Sequence, residues 1–388
     1  MYNVAQLGQV FTPPFIVSQM LQLRQNQGRI LEPSAGDGSF FANLPNCVGI
    51  EIDPKHSKEG MLNMDFFDYP IAEKFDTIIG NPPYVRYQDI PASTKQKFKS
   101  VLFDERSNLY LFFIEKCIKH LQQNGELIFI TPRDFLKATS SVKLNKFIYE
   151  QGTITDIIDL GDSKVFNGFS PNCIIWRFEK NNFTRKTNTY KQFVLCNGQL
   201  MFTDNHYPIL FSDIFAVKVG AVSGCDEIFT NPEHGNEDFV CSATYKTGET
   251  KRMIFNVLHE SLIPQKQKLI SRGIRSFNEK NWWQWGRLHH QSKQARIYVN
   301  AKTRNNQPFF THPCLNYDGA ILGIFPHNTQ ANVKILTEKL NRVNWLELGF
   351  VCDGRYMFSQ RSLENTLLPD YFAEDVPKSL LQPMGYKS

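Results

Sequence analysis

The sequence contains no Cys-x-x-Cys pair and no cysteine set at ligand spacing beside a histidine; its eight cysteines stand singly. That pattern argues against a zinc site or a disulfide framework and points to reduced thiols in a cytoplasmic setting, with no metal. No apolar run approaches the ~20 residues that span a bilayer. The first residues lack the basic-then-apolar order of a signal peptide, so no membrane partner is expected. Internal repeats and low-complexity tracts are absent as well. A glycine turn occurs at Gly36-Asp37-Gly38, but Phe41 stands where a dinucleotide fingerprint needs its third glycine. That substitution disfavours a pyrophosphate on the following helix, and with it a dehydrogenase.

What is present is an ordinary globular composition, 41% hydrophobic and 21% charged, over 388 residues. That length suggests two domains. The formal charge is only +5, but it is unevenly placed. Residues 1–190 hold 21 Lys+Arg against 20 Asp+Glu, and residues 191–388 hold 22 against 18. Within 246–304 there are 13 basic residues and 3 acidic ones, a net of +10. A local patch of that strength attracts polyanions.

The first half alternates strands and helices. Short apolar runs at Arg29–Leu31, Cys47–Ile50, Met61–Met64, Phe75–Ile79, Glu126–Ile130, Ile154–Leu160 and Cys173–Phe178 read as seven strands. Helical period appears over Asn108–Leu121 and Ser140–Gln151. This β-α-β order predicts an α/β fold with a mostly parallel seven-stranded sheet, which takes ligands at the carboxyl ends of its strands. From about residue 180 the texture turns polar and irregular, and the reading divides the chain into domains 1–205 and 206–388.

Chemistry collects at the predicted strand ends. The first strand runs into Glu32-Pro33 and the Gly36 turn. Thirteen residues after Gly38, the second ends in Glu51-Ile52-Asp53. A carboxylate there suits the two hydroxyl donors of a ribose. Asp65-Phe66 follows the third, an acceptor beside an aromatic plane, suited to adenine. The fourth strand ends in Asn81-Pro82-Pro83-Tyr84. Each proline fixes φ and restricts the residue before it, so this backbone is stiff. Two acceptors, the Asn81 amide oxygen and the Pro82 carbonyl, then stand beside the Tyr84 ring. A planar amine with two N–H donors fits them.

Taken in order, "GQVFTPPFIVSQM", "LEPSAGDGSF", "GIEIDP", "MDFFD" and "GNPPYVRY" resemble the gamma class of S-adenosylmethionine-dependent DNA adenine-N6 methyltransferases, which includes the methylases of many type II restriction–modification systems. The resemblance is good over residues 8–180 and weak beyond. It implies a Rossmann-like methyltransferase domain over 1–205, S-adenosyl-L-methionine as cofactor, and a smaller target-recognition domain over 206–388. Thr12 and Pro13 would lie against the methionine part of the cofactor, with Glu32, Ser34 and Gly36 close by. Glu51 would hold the ribose and Ile52 one face of the adenine. Asp65 would accept from the adenine amine, with Phe66 adjacent. Asn81 and Pro82 would hold the target amine and Tyr84 would stack on the target base. A second stacking aromatic is expected at Phe166, with Phe169 as its rival.

The implied substrate is double-stranded DNA with its adenine flipped out. The implied setting is a bacterial or archaeal cytoplasm, the chain a monomer, with a cognate restriction endonuclease as candidate partner. Lys266, Lys268, Arg272, Arg275 and Arg287 are the expected DNA contacts in the basic stretch. Its tryptophans 282, 283 and 285 read more readily as core. Residues 352–369 resemble the closing segment of target-recognition domains and read as structural. The alternative is methyl transfer to RNA or to a protein glutamine through the same Asn-Pro-Pro-Tyr loop; those relatives carry an N-terminal extra domain and little after the catalytic one.

Overall fold

A computed structural model describes residues 10–103, 107–161, 166, 172–352 and 354–377. Phe169 lies outside the described residues. The chain forms two compact units, Met1–Asn205 and His206–Ser388.

The first unit is built on a seven-stranded sheet: β1 (Ile30–Glu32), β2 (Cys47–Glu51), β3 (Leu62–Asn63), β4 (Phe75–Gly80), β5 (Leu121–Pro132), β6 (Gly152–Asp159) and β7 (Cys173–Lys180). Their order is β3-β2-β1-β4-β5-β7-β6. Pairs from β3 across to β5 are parallel, and β7 runs antiparallel to both β5 and β6. Strands covered on both faces have no solvent side to alternate toward. Accordingly Ile78, Ile79, Leu127, Ile128, Phe129 and Ile130 are all fully buried.

The first unit includes the helices α1 (Pro14–Gln22), α2 (Leu109–His120) and α3 (Val142–Gln151), of which α2 lends Leu109 and Phe113 to the site. Pro14 opens α1, where a missing N–H costs nothing. The Asn108 side chain caps α2 by accepting from the Tyr110 N–H. Nearly every side of α2 is buried, as expected for a helix apolar around its girth. The helix runs straight into β5. Leu121 pairs with Phe75, the ladder then slips, and it resumes at Glu126 opposite Thr77, with Asn124 left-handed in between. Asn124-Gly125 therefore marks a bulge inside the strand.

An ion-paired cluster locks β4, β5 and β7 together. The Arg177 Nε donates to Glu126 Oε2 at 2.7 Å, and both side chains are buried. Glu126 Oε1 also accepts from the Thr77 hydroxyl at 2.8 Å and from the Asn26 N–H at 2.9 Å.

The second unit has a four-stranded antiparallel sheet in the order Phe215–Val219, Ile321–Pro326, Ile297–Asn300, Phe309–Phe310. Trp282 and Trp285 are buried with Phe229 and Phe239, the Trp285 indole donating to the Ile254 carbonyl. In the segment 352–369, Leu363 and Leu368 are buried and Ser359 forms a capping box with Ser362.

Candidate active site

The cleft of the first unit lies where the strand order reverses, between β1 and β4, at the carboxyl ends of the strands. This is where open parallel sheets take their ligands. It encloses about 810 Å³ including its mouth. Of the residues singled out in the sequence, Ser34, Gly36, Glu51, Ile52, Asp65, Phe66, Asn81 and Pro82 line it. Thr12, Pro13, Glu32, Tyr84 and Phe166 stand behind the wall or to one side.

The glycine turn and the β2 acid are one structure. Gly36 sits at φ +53, a left-handed conformation that glycine adopts without strain. Its N–H donates to Glu51 Oε2 at 2.6 Å, and the Asp53 N–H donates to Glu51 Oε1 at 2.8 Å. Two backbone donors fix the carboxylate and leave lone pairs on both oxygens for a diol. Glu32 differs. It is buried at the end of β1, and burial pushes its pKa well above the usual carboxylate range, with Asp37 and Glu51 adding to the rise against the Phe41 N–H. Its Oε2 has no hydrogen-bond partner among the described residues.

Asp65 caps a short turn. Oδ1 accepts from the Phe67 N–H at 3.0 Å, and Oδ2 accepts from Lys97 Nζ at 3.0 Å and the Thr94 hydroxyl at 3.2 Å. The carboxylate expected to meet an adenine amine is thus already oriented by three donors. Phe66 packs against Phe113 at 5.1 Å.

Asn81 is held at both ends. Its backbone carbonyl accepts from the Ser34 hydroxyl at 3.0 Å. Its side-chain Nδ2 donates to the Val10 carbonyl at 3.0 Å and to Thr12 Oγ1 at 3.2 Å. Those two acceptors fix which end of the amide is which. The Asn81 Oδ1 that remains is buried and has no partner among the described residues. Buried polar oxygens are nearly always paired, so an orphaned acceptor on a stiff Pro-Pro mount beside a cleft is an acceptor awaiting a donor. Thr12, expected against a cofactor, also holds the Asn81 amide.

Tyr84 donates its hydroxyl to the Ile130 carbonyl at 2.9 Å, and burial raises its pKa well above the ordinary phenol value. Its ring meets Phe166 at 6.3 Å and 61°, and Tyr110 at 5.9 Å and 90°. Phe166 is 2% exposed, in the cluster that includes Ile79 and Ile130. Here the two rings contact one another edge to face and present no parallel slot.

Sequence reasoning missed the wall formed by Pro91, Thr94, Leu109 and Phe113. Leu109 and Phe113 are one turn apart at the start of α2, a spacing visible in the sequence; nothing local signals Pro91 or Thr94.

The five cations expected to touch DNA differ among themselves. Arg272 is the correction: it is 7% exposed, and its guanidinium donates to the carbonyls of Leu269, Ser223, Trp282 and Gln284. A guanidinium so occupied in the interior is not a phosphate contact. Lys266 pairs with Glu279 and Lys268 with Glu227. Arg275 and Arg287 are exposed.

Residues 33–166 match the family model described as Eco57I restriction-modification methylase. Over those residues, about a third of the chain, it is similar to that family. The chain is also 31% identical over 245 residues to the Type II methyltransferase M.HincII of Haemophilus influenzae, covering 59% of this chain and 47% of that protein. It is 33% identical over 198 residues to the Type II methyltransferase M.TthHB8I of Thermus thermophilus, covering 45% of each. The chain thus spans about half the length of these relatives. The Type IIL restriction-modification enzyme MmeI, solved in complex with DNA, superposes with a TM-score of 0.57 over 91% of this chain and 64% of that one, at 11% identity. That likeness is one of fold. The cofactor that goes with the methylase domain is S-adenosyl-L-methionine. The cleft residues fit it: an anchored carboxylate at the tip of β2, an oriented one after β3, and aromatic and aliphatic planes from Phe66 and Ile52.

Proposed function

We propose that the protein is a site-specific DNA methyltransferase that modifies N6 of an adenine flipped out of duplex DNA, as the modification half of a restriction–modification system. The observation that carries this reading is the orphaned, buried Oδ1 of Asn81 beside Pro82. An exocyclic amine is a poor nucleophile because its lone pair is delocalised into the ring. Asn81 Oδ1 and the Pro82 carbonyl accept its two N–H bonds, favour a pyramidal nitrogen and free that lone pair. When bound, S-adenosyl-L-methionine supplies an electrophilic methyl. Glu51 and Asp65, each already oriented by protein donors, would hold the ribose and adenine of that methyl donor. Positive charge developing on the nitrogen is met by the Asn81 and Pro82 dipoles, which are already aimed and need no reorganisation. Because the amine is inaccessible in a duplex, the base leaves the stack, and Tyr84 and Phe166 offer the replacement surface, provided their contact opens. The second unit supplies the DNA grip.

Asn81→Ala is expected to lower the transfer rate by roughly 10²–10³, by analogy with loss of one preorganised dipole, while cofactor and DNA still bind. The test is sequencing of treated plasmid for N6-methyladenine, with binding measured separately. Near-normal methylation by the variant, or modified bases other than adenine in the wild type, overturns the proposal.

A further inference from the structure

The buried Arg272 leaves a question about its surroundings. Its four carbonyl acceptors come from residues 223, 269, 282 and 284, so one guanidinium ties together two segments of the irregular stretch, 269–272 and 282–284, and the turn at Ser223. Phe277 lies 3.9 Å beneath it. An irregular surface loop fixed this firmly is a rigid mount.

What it mounts is Ile274 and Arg275. Ile274 stays 41% exposed, yet it sits in a seat where any side chain at Gly224 or Gly286 would collide with it, at 2.4 and 2.7 Å. Gly224 is also left-handed, at φ +83. A β-branched side chain has few rotamers, so the exposed methyl face is held in place. Arg275 projects beside it. Its guanidinium donates to Gln284 Oε1 at 2.9 Å and lies 5.0 Å over Phe277. Gln284 is itself fixed, because its carbonyl accepts from Arg272.

We infer that this Arg272-pinned loop reads base edges in the major groove, with Arg275 forking onto a guanine and Ile274 contacting the methyl of a thymine. The proposal rests on the reading of the second unit as the DNA-gripping part. The occupant is duplex DNA because the surrounding stretch, 246–304, has 13 basic residues against 3 acidic. A planar fork of donors matches guanine O6 and N7, and an apolar contact matches the C5-methyl. Phosphate binding would need neither the fork nor the isoleucine. Arg272 thus moves from contact to support.

The experiment uses the full chain and two readouts. The first selects bound duplexes from a random pool, with and without S-adenosylmethionine; the second maps methylated positions on plasmid DNA. Arg275→Lys keeps the charge and removes the fork. It is expected to relax the preference at one G·C position by roughly tenfold or more. Ile274→Ala should relax a neighbouring A·T position. Relaxed selection without any methyl transfer supports the reader loop and sinks the proposed function. Methylation whose sequence pattern is the same in the wild type and both variants overturns the reader loop and leaves that function standing. A wild-type protein with no sequence preference in the pool also overturns the reader loop.

Discussion

Thr12→Val separates two roles that the sequence alone would confuse. The resemblance places Thr12 against the cofactor, whereas in the fold its Oγ1 accepts from the Asn81 Nδ2 at 3.2 Å. Valine keeps the shape of this buried side chain (7% exposed) and removes one of the two acceptors that orient the amide. The Val10 carbonyl, at 3.0 Å, remains; a flipped amide would bring Asn81 Oδ1 against that carbonyl, so orientation is weakened rather than lost. A neutral hydrogen bond contributes about 1 kcal/mol, or about fivefold in rate. The loss should appear in the single-turnover rate of methyl transfer at saturating cofactor. The cofactor Kd from calorimetry should hold within about twofold, since 1 kcal/mol would move it by about fivefold. Thr12→Ser should restore the rate, because the hydroxyl returns. If the cofactor Kd rises in step with the loss of rate, or if serine fails as valine does, Thr12 acts through the cofactor and the positioning argument is wrong.

Arg177→Met should destabilise the first unit by about 3–5 kcal/mol, because it strands a buried Glu126 carboxylate. Urea unfolding measures this, and the double substitution with Glu126→Gln should recover part of the loss; a drop under about 1 kcal/mol would show that the pair is not what ties β4, β5 and β7. His120 has its pKa lowered to about 4, chiefly by burial. The folded form therefore holds it neutral while the unfolded chain binds a proton below 6.5. Stability should fall as the pH drops from 6.5 toward 4, by on the order of 3 kcal/mol at most from this group. His120→Asn should flatten that limb of the pH curve. DNA affinity should fall steeply with salt, and Lys268→Gln should lower the slope of log K against log salt by about 1 if this lysine exchanges Glu227 for a phosphate; an unchanged slope removes it from the interface.

The sheet was legible because parallel strands buried on both faces read as near-continuous apolar runs, as in Leu127–Ile130, even where Asp76 and Thr77 interrupt Phe75–Ile79. The acids of the cleft were legible because Glu51 closes the run Cys47–Ile50 and Asp65 follows Met61–Met64, and strand ends converge. Features set by contacts far apart in sequence were not. The Asn81 amide is oriented by residues 10 and 12, and Asp65 by residues 94 and 97; no local pattern announces either. Arg272 shows the limit of counting charge. In composition it is one more cation of a basic stretch, and only its four carbonyl partners reveal a core residue. The bulge at Asn124 is no more legible, because a left-handed asparagine before glycine can equally end a helix or bulge a strand.

The same device recurs in both units. At Asn81 the chain spends two prolines, the Ser34 hydroxyl and two acceptors for Nδ2 to hold one oxygen unsatisfied and still. At Ile274 and Arg275 it uses a buried guanidinium and two glycines to hold an apolar face and a donor fork exposed and still. Each arrangement costs stability locally, through a buried orphan acceptor in one case and an exposed apolar side chain in the other. Neither cost is recovered inside the chain. On the proposed function, both would be recovered by a partner that brings two N–H donors to the first and base edges to the second, as an adenine-bearing duplex does.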